Sequence, residues 1–144
     1  MFFIRKWSLI VCLLSLACIA RAAQAGTQTV TKLAGLNLSA QGKYIASKIQ
    51  QVFPDAPIML YVANCESTGL IHREPDGSLL PNSGGGTAKG VFQVLMRVHE
   101  KEFRRLGLDP NNDADYFKYV RILYDQGKTG PWQESKRCWR NHSA

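Results

Sequence analysis

The chain has 144 residues, with 18 Lys and Arg against 11 Asp and Glu, and a formal net charge of +7. The first 25 residues hold three of those cations and no acid, which leaves +4 on the remaining 119. That length is expected to hold one small domain with a single core; that charge suits ordinary solubility at least as well as contact with an anionic polymer.

The chain opens on a short basic segment ending in Arg5 and Lys6, then an apolar stretch from Trp7 to Ala20, then Ala23-Gln24-Ala25. The apolar stretch is too short for a comfortable membrane span. The pattern reads as a secretory signal peptide over residues 1–25, cut before Gly26. A lipoprotein signal cut before Cys18 is the alternative: Ala17 supplies the small residue, but Ser15 stands where leucine is usual. Either way the protein is expected to be exported, to the periplasm or the extracellular space, without stable membrane insertion. Cys12 and Cys18 fall in the leader, so Cys65 and Cys138 remain as an even pair in an oxidising compartment. We expect them to be bonded. The long loop so closed makes the bond worth roughly 4 kcal/mol in the chain-entropy account.

Residues 26–38 are polar and aperiodic, a flexible lead-in. Ser39 can cap a helix that carries Ile45, Ile49, Val52 and Phe53 on one face. Pro54-Asp55-Ala56-Pro57 ends it and starts the next, with Pro57 suited to a first helical position. From Ile71 to Gly90 the chain is rich in turn residues, with Pro75-Asp76-Gly77 and three consecutive glycines, Gly84 to Gly86. It is not a phosphate-binding loop, which needs Gly-Lys-Ser/Thr, because Lys89 precedes Gly90. Val98, Phe103 and Leu106 predict a short helix stopped by Gly107. Asn112 or Asp113 can cap another, with Tyr116, Val120, Leu123 and Tyr124 on one face and a stop at Gly127. Gly130-Pro131 opens a last helical segment with Trp132 and Trp139 one heptad apart. The domain is expected over 39–139, with 140–144 a tail. There is no internal repeat. His72 and His99 lack metal-ligand spacing, and no metal or other cofactor is expected.

One stretch carries chemistry. Apolar residues fill every position from Ile58 to Ala63, and the run ends in Cys65-Glu66-Ser67. Such a helix is expected to be buried all round. A carboxylate on its last turn is disfavoured as an anion by desolvation and by the negative end of the helix dipole. Both raise its pKa, as a general acid near neutral pH requires. The bland reading of Glu66 is a surface glutamate at a helix end.

Cys65-Glu66-Ser67-Thr68-Gly69, followed by Ala88-Lys89-Gly90-Val91-Phe92-Gln93, resembles the signature of soluble lytic transglycosylase domains of the lysozyme-like superfamily. The tail from Pro131-Trp132 through Ser135 to Cys138-Trp139 resembles the ending of small single-domain members. The resemblance extends from about Ser39 to Trp139. It implies an α+β fold, mainly helical: a lysozyme-like domain with a small hairpin or loop wall beside the cleft. It implies a peptidoglycan lytic transglycosylase that cleaves the MurNAc–GlcNAc β-1,4 bond and leaves 1,6-anhydro ends. Glu66 is then the catalytic acid and base, with Ser67 and Gln93 as substrate-binding residues. Ser67 also reads as a helix-ending hydroxyl and Gln93 as a loop strut. The chain departs from the family at Phe92, where methionine is usual, and at Thr87, where glycine is usual. The family's Ala-Tyr-Asn motif is absent. Tyr124 is the candidate for its tyrosine and for a sugar contact, although at helical spacing Tyr124 and Trp132 also read as core. The implied partners are peptidoglycan glycan strands and a cell-envelope secretion or pilus machine. No nucleic acid is expected, and a monomer is. The alternatives on the same fold are a lysozyme-type muramidase, hydrolysing with water, and a non-catalytic peptidoglycan-binding assembly module.

Overall fold

In the computed structural model, which describes residues 38–142, helix α1 spans Ala40–Val52. Ser39 caps it: its hydroxyl oxygen accepts from the Gly42 N–H at 3.0 Å, satisfying an amide that a helix start leaves bare. Ile45, Ile49 and Phe53 are buried, the face their spacing predicts. Gly42 lies where α1 crosses the turn that follows the next helix. A Cβ there would sit 2.5 Å from the Gly69 carbonyl oxygen, so the crossing requires glycine.

Helix α2, Ile58–Glu66, follows Pro57, which stands as the cap and not as the first helical residue. Five consecutive residues, Met59 to Ala63, are buried. A helix with one wet face cannot show that pattern. Met59, Leu60 and Val62 each contribute about 1.5–3 kcal/mol by leaving water, which makes α2 the centre of the core.

Beyond α2 the chain is irregular, as its turn residues predict. Isolated bridges pair Arg73 with Leu79 and Pro81 with Lys89. Two short antiparallel strands, β1 (Ala88–Lys89) and β2 (Val94–Leu95), pair Ala88 with Leu95 and Lys89 with Val94. Residues 90–93 are the turn of this hairpin.

Helix α3, Met96–Arg105, stops before Gly107, whose φ is +66°. Phe103 is buried, with its ring centroid 4.0 Å from that of Tyr119. Val98, expected beside it, is 58% exposed. Five residues of helix separate the two, which turns Val98 about 140° away. Helix α4, Asp113–Gly127, is capped by Asn112, whose side-chain oxygen accepts from the Asp115 N–H at 3.2 Å. It buries Tyr116, Phe117, Tyr119 and Val120, more than one stripe, because it meets α1 and, through Tyr119, also Phe103 of α3. Leu123 and Tyr124 are only half-buried.

A 3-10 turn at Gly130–Trp132 leads to helix α5, Lys136–Trp139, and a second turn at Arg140–His142. Trp132 is a core residue, as expected, and so is Trp139. The Cys65–Cys138 disulfide is formed and ties α2 to α5. In the segment expected to be a tail, a 3-10 turn runs to His142, whose ring stacks on Tyr61 with centroids 4.3 Å apart.

Among the described residues there are five α-helices and one two-stranded sheet, an α+β arrangement that is mainly helical. No helix among them is long and apolar enough to cross a membrane. The leader, its cleavage site, the Cys18 alternative and the lead-in up to residue 37 lie outside the described residues.

Candidate functional site

Glu66 is the last residue of α2 and is half-buried. Burial pushes its carboxyl above the usual glutamate range, and the neighbouring Ser135 hydroxyl draws it partly back. Three other carboxylates go the opposite way. Asp55 is lowered chiefly by its hydrogen bonds from Arg121, Asp76 by the Ser78 backbone, and Glu102 by Arg105. The nearest cation in sequence after Glu66, Arg73, is engaged elsewhere: its guanidinium holds Asp113 Oδ1 at 2.9 and 2.5 Å.

The hairpin turn is held by three buried rings. His72 Nδ1 accepts from the Val91 N–H at 3.0 Å. The Tyr116 hydroxyl donates to the Lys89 carbonyl at 2.8 Å and accepts from the Phe92 N–H at 3.2 Å. Trp132 Nε1 donates to the Phe92 carbonyl at 2.9 Å. Gly90 is required here twice over: its φ is +74°, and a Cβ would lie 2.8 Å from the Tyr116 ring and hydroxyl. Because an amide only donates, His72 Nδ1 is the acceptor nitrogen and the ring proton sits on Nε2, facing Asp113 Oδ1 at 3.4 Å. Burial lowers His72 to a pKa of about 4, against the upward pull of Asp113, so the ring is neutral at neutral pH.

Burial raises the Tyr116 pKa well above the usual tyrosine range, and the charge of Glu66 adds a lesser part to that rise.

The remaining sequence candidates are placed as follows. Ser67 is buried, and its hydroxyl donates to the Ala63 carbonyl at 3.1 Å, ending α2. Gln93 closes the hairpin turn with φ +48°, a left-handed conformation uncommon outside glycine. Its amide donates to the Gly90 carbonyl at 2.9 Å and accepts from Asn82 Nδ2 at 3.2 Å, which leaves one N–H and one lone pair for another partner. Tyr124 packs edge-on against Phe53, with centroids 5.6 Å apart, and lies under Lys128 and Arg121. These contacts tie it to α1 and the end of α4, whereas Tyr116 is tied to the hairpin. A pocket of about 320 Å³, lined among others by Leu79, Lys89, Met96 and Glu100, includes none of these candidates.

Sequence reasoning missed Ser135, Tyr116 and His72 as site residues. Ser135 had a signal: it lies three residues before Cys138, and the expected bond to Cys65 brings that turn to Glu66. Tyr116 read as one of several core aromatics. Nothing local to His72 announces its bond to the hairpin. The chain matches no family model, no curated protein and no solved structure.

Proposed function

We propose that this protein is an exported peptidoglycan lytic transglycosylase with a lysozyme-like fold, and that Glu66 is its catalytic acid and base. The observation that carries this reading is Glu66 itself: a half-buried carboxyl, raised by burial, at the end of the most buried helix. A carboxylate kept in that setting disfavours folding when ionised, as functional acids do. Glu66 delivers its proton to the glycosidic oxygen as the C1–O4 bond breaks. The 6-hydroxyl of the same sugar then attacks C1, and its proton returns to Glu66, closing the 1,6-anhydro ring and restoring the acid. The nucleophile is intramolecular, which removes the need for a second carboxylate to activate water. The sequence has no acidic residue between Gly77 and His99, and Asp113, beside the hairpin, is committed to Arg73 and His72. The unused N–H and lone pair of Gln93 suit a sugar hydroxyl or N-acetyl group. The disulfide supports export. By the family resemblance, the enzyme acts on glycan strands in the service of an envelope-spanning machine.

The test is release of soluble fragments from purified walls by the wild type and by Glu66→Gln, with co-sedimentation run alongside. The wild type is expected to clear the suspension. The variant is expected to bind walls while losing about 10²–10⁴-fold in rate. Near-normal clearing by Glu66→Gln removes Glu66 from the mechanism. Binding without clearing by the wild type leaves only the assembly-module reading.

A further inference from the structure

Two side-chain amides, those of Asn82 and Gln93, form a relay between backbone groups, and both ends of the relay fix its direction. The Gly84 N–H donates to Asn82 Oδ1 at 2.8 Å. A backbone N–H can only donate, so the Asn82 oxygen lies on that side and its NH2 on the other. Asn82 Nδ2 donates to Gln93 Oε1 at 3.2 Å, and Gln93 Nε2 donates to the Gly90 carbonyl at 2.9 Å. A backbone carbonyl can only accept, so the far end agrees with the near one. Turning the Gln93 amide over would set its oxygen against the Gly90 oxygen and its NH2 against the Asn82 NH2. The glycine-rich loop closes around Asn82. The Gly85 N–H donates to the Asn82 carbonyl at 3.1 Å, and the Asn82 N–H donates to the Ala88 carbonyl at 3.1 Å. A Cβ at Gly84 would lie 3.0 Å from Asn82 Oδ1, and one at Gly86 would lie 3.6 Å from it. Gln93 is meanwhile held at a φ of +48°, a conformation that is strained outside glycine and collects at ligand clamps.

We propose that Asn82 is a positioning residue: its bond to Gln93 fixes which end of that amide donates and which accepts, and so sets a preference for an acetamido group on the ligand. This rests on the reading of the protein as one that binds peptidoglycan glycan strands, but not on Glu66 as the acid. Gln93 keeps one N–H and one lone pair for a ligand, and both amides are only partly buried. A sugar hydroxyl donates and accepts, so it can meet the glutamine in either orientation and gains nothing from a fixed one. An acetamido group has a carbonyl that only accepts and an N–H that only donates, so its polarity matches one orientation alone. A glutamine held in that orientation is ready for it, and a reversed one leaves polar groups unpaired.

The experiment compares wild type, Asn82→Asp and Asn82→Leu as the full chain, with two readouts. One is the affinity for the β-1,4-linked tetramers of N-acetylglucosamine and of glucose, neutral sugars that differ in an acetamido group or a hydroxyl at C2. The other is the Gln93 side-chain NH2 signal in proton–nitrogen NMR spectra without ligand. Aspartate keeps the shape of asparagine but offers only acceptors, so no orientation of Gln93 satisfies both it and the Gly90 carbonyl. The wild type is expected to bind the acetylated tetramer roughly tenfold more tightly than the glucose tetramer. Asn82→Asp is expected to move the Gln93 signal and bring that ratio close to one. Asn82→Leu, which removes the bond without opposing it, should fall between. A merely structural asparagine would lower the melting temperature and weaken both sugars alike, keeping the ratio. An unchanged ratio or an unmoved Gln93 signal in folded Asn82→Asp overturns the proposal, and so does a wild type that does not prefer the acetylated tetramer. If Asn82→Asp does not fold, Gly84→Ala, whose Cβ presses on Asn82 Oδ1 and leaves both amides in place, makes the same comparison. A wild type that prefers the acetylated tetramer but clears no wall would sink the catalytic reading alone. Wall clearing with an unchanged ratio in Asn82→Asp would sink the role of Asn82 alone.

Discussion

The hairpin turn and the end of α2 treat buried polar groups in opposite ways. At the hairpin, His72, Tyr116 and Trp132 donate to or accept from the backbone of residues 89–92, and Asp113 and Arg73 back the histidine. Polar side chains there fix one backbone shape. At the end of α2 a carboxyl is taken partly out of water with one neighbouring hydroxyl and, among the described residues, no cation acting on it. The first region is what a structural network looks like, with its ring polar atoms hydrogen-bonded except His72 Nε2, which faces Asp113 at 3.4 Å. The second is what a fold would avoid unless the carboxyl had work to do. The difference separates residues that fix the hairpin from the residue we propose as the acid.

The contrast can be broken most forcefully through the covalent link. Replacing both Cys65 and Cys138 with serine should cost about 4 kcal/mol, read as a lower denaturant midpoint. It should also move the Glu66 titration, because α5 is no longer tied to α2. A midpoint unchanged from wild type would show that packing of Trp132 and Trp139 alone holds the C-terminal segment.

The cradle is next. Gly90→Ala combines a φ of +74° with a Cβ 2.8 Å from Tyr116, and should cost about 3 kcal/mol. Gly77→Ala, where nothing lies within 4 Å of a Cβ, should cost only about 1 kcal/mol, from its positive φ. Equal losses would mean that the hairpin is not clamped by His72 and Tyr116.

Acid should weaken the same region. His72 has a folded pKa of about 4 against 6.5 for the free side chain. Its folded form binds protons less readily than its unfolded form, so stability falls as pH drops below 6.5 and levels off near the folded value. The loss from this group is about 3 kcal/mol between pH 7 and pH 4. Urea midpoints across that range test it, and a histidine proton resonance titrating near its free value would contradict it.

The smallest effect has the most telling sign. Glu66 has a raised pKa, so ionisation costs stability once pH exceeds its unfolded value, and in full above its folded one. Glu66→Gln should be neutral or stabilising at neutral pH, and lose that advantage near pH 4. Thermal melts across pH measure this. A glutamine variant clearly less stable above neutrality would make Glu66 part of a structural network like the one at the hairpin.

Much of this arrangement was legible in the sequence where local rules govern. Ser39, Asn112 and Gly107 mark helix ends by chemistry that acts within a few residues. The unbroken apolar run from Ile58 announced a buried helix and, with it, the setting of Glu66. The cysteine pair followed from counting. What was hidden depends on contacts far apart in the chain. His72 reaches Val91 and faces Asp113, and Tyr116 reaches Lys89 and Phe92. Helical periodicity puts Tyr116 and Tyr124 on one buried face and cannot tell which meets the hairpin. Val98 was misplaced because apolar character was read without its angle around α3.

The most direct test of Glu66 as the acid and base of a transglycosylase is mass spectrometry of the fragments that the wild-type protein releases from peptidoglycan. The predicted products end in 1,6-anhydro sugars, one water lighter than hydrolysis products, and are absent with Glu66→Gln. Fragments carrying reducing ends would contradict the intramolecular step and make the protein a muramidase.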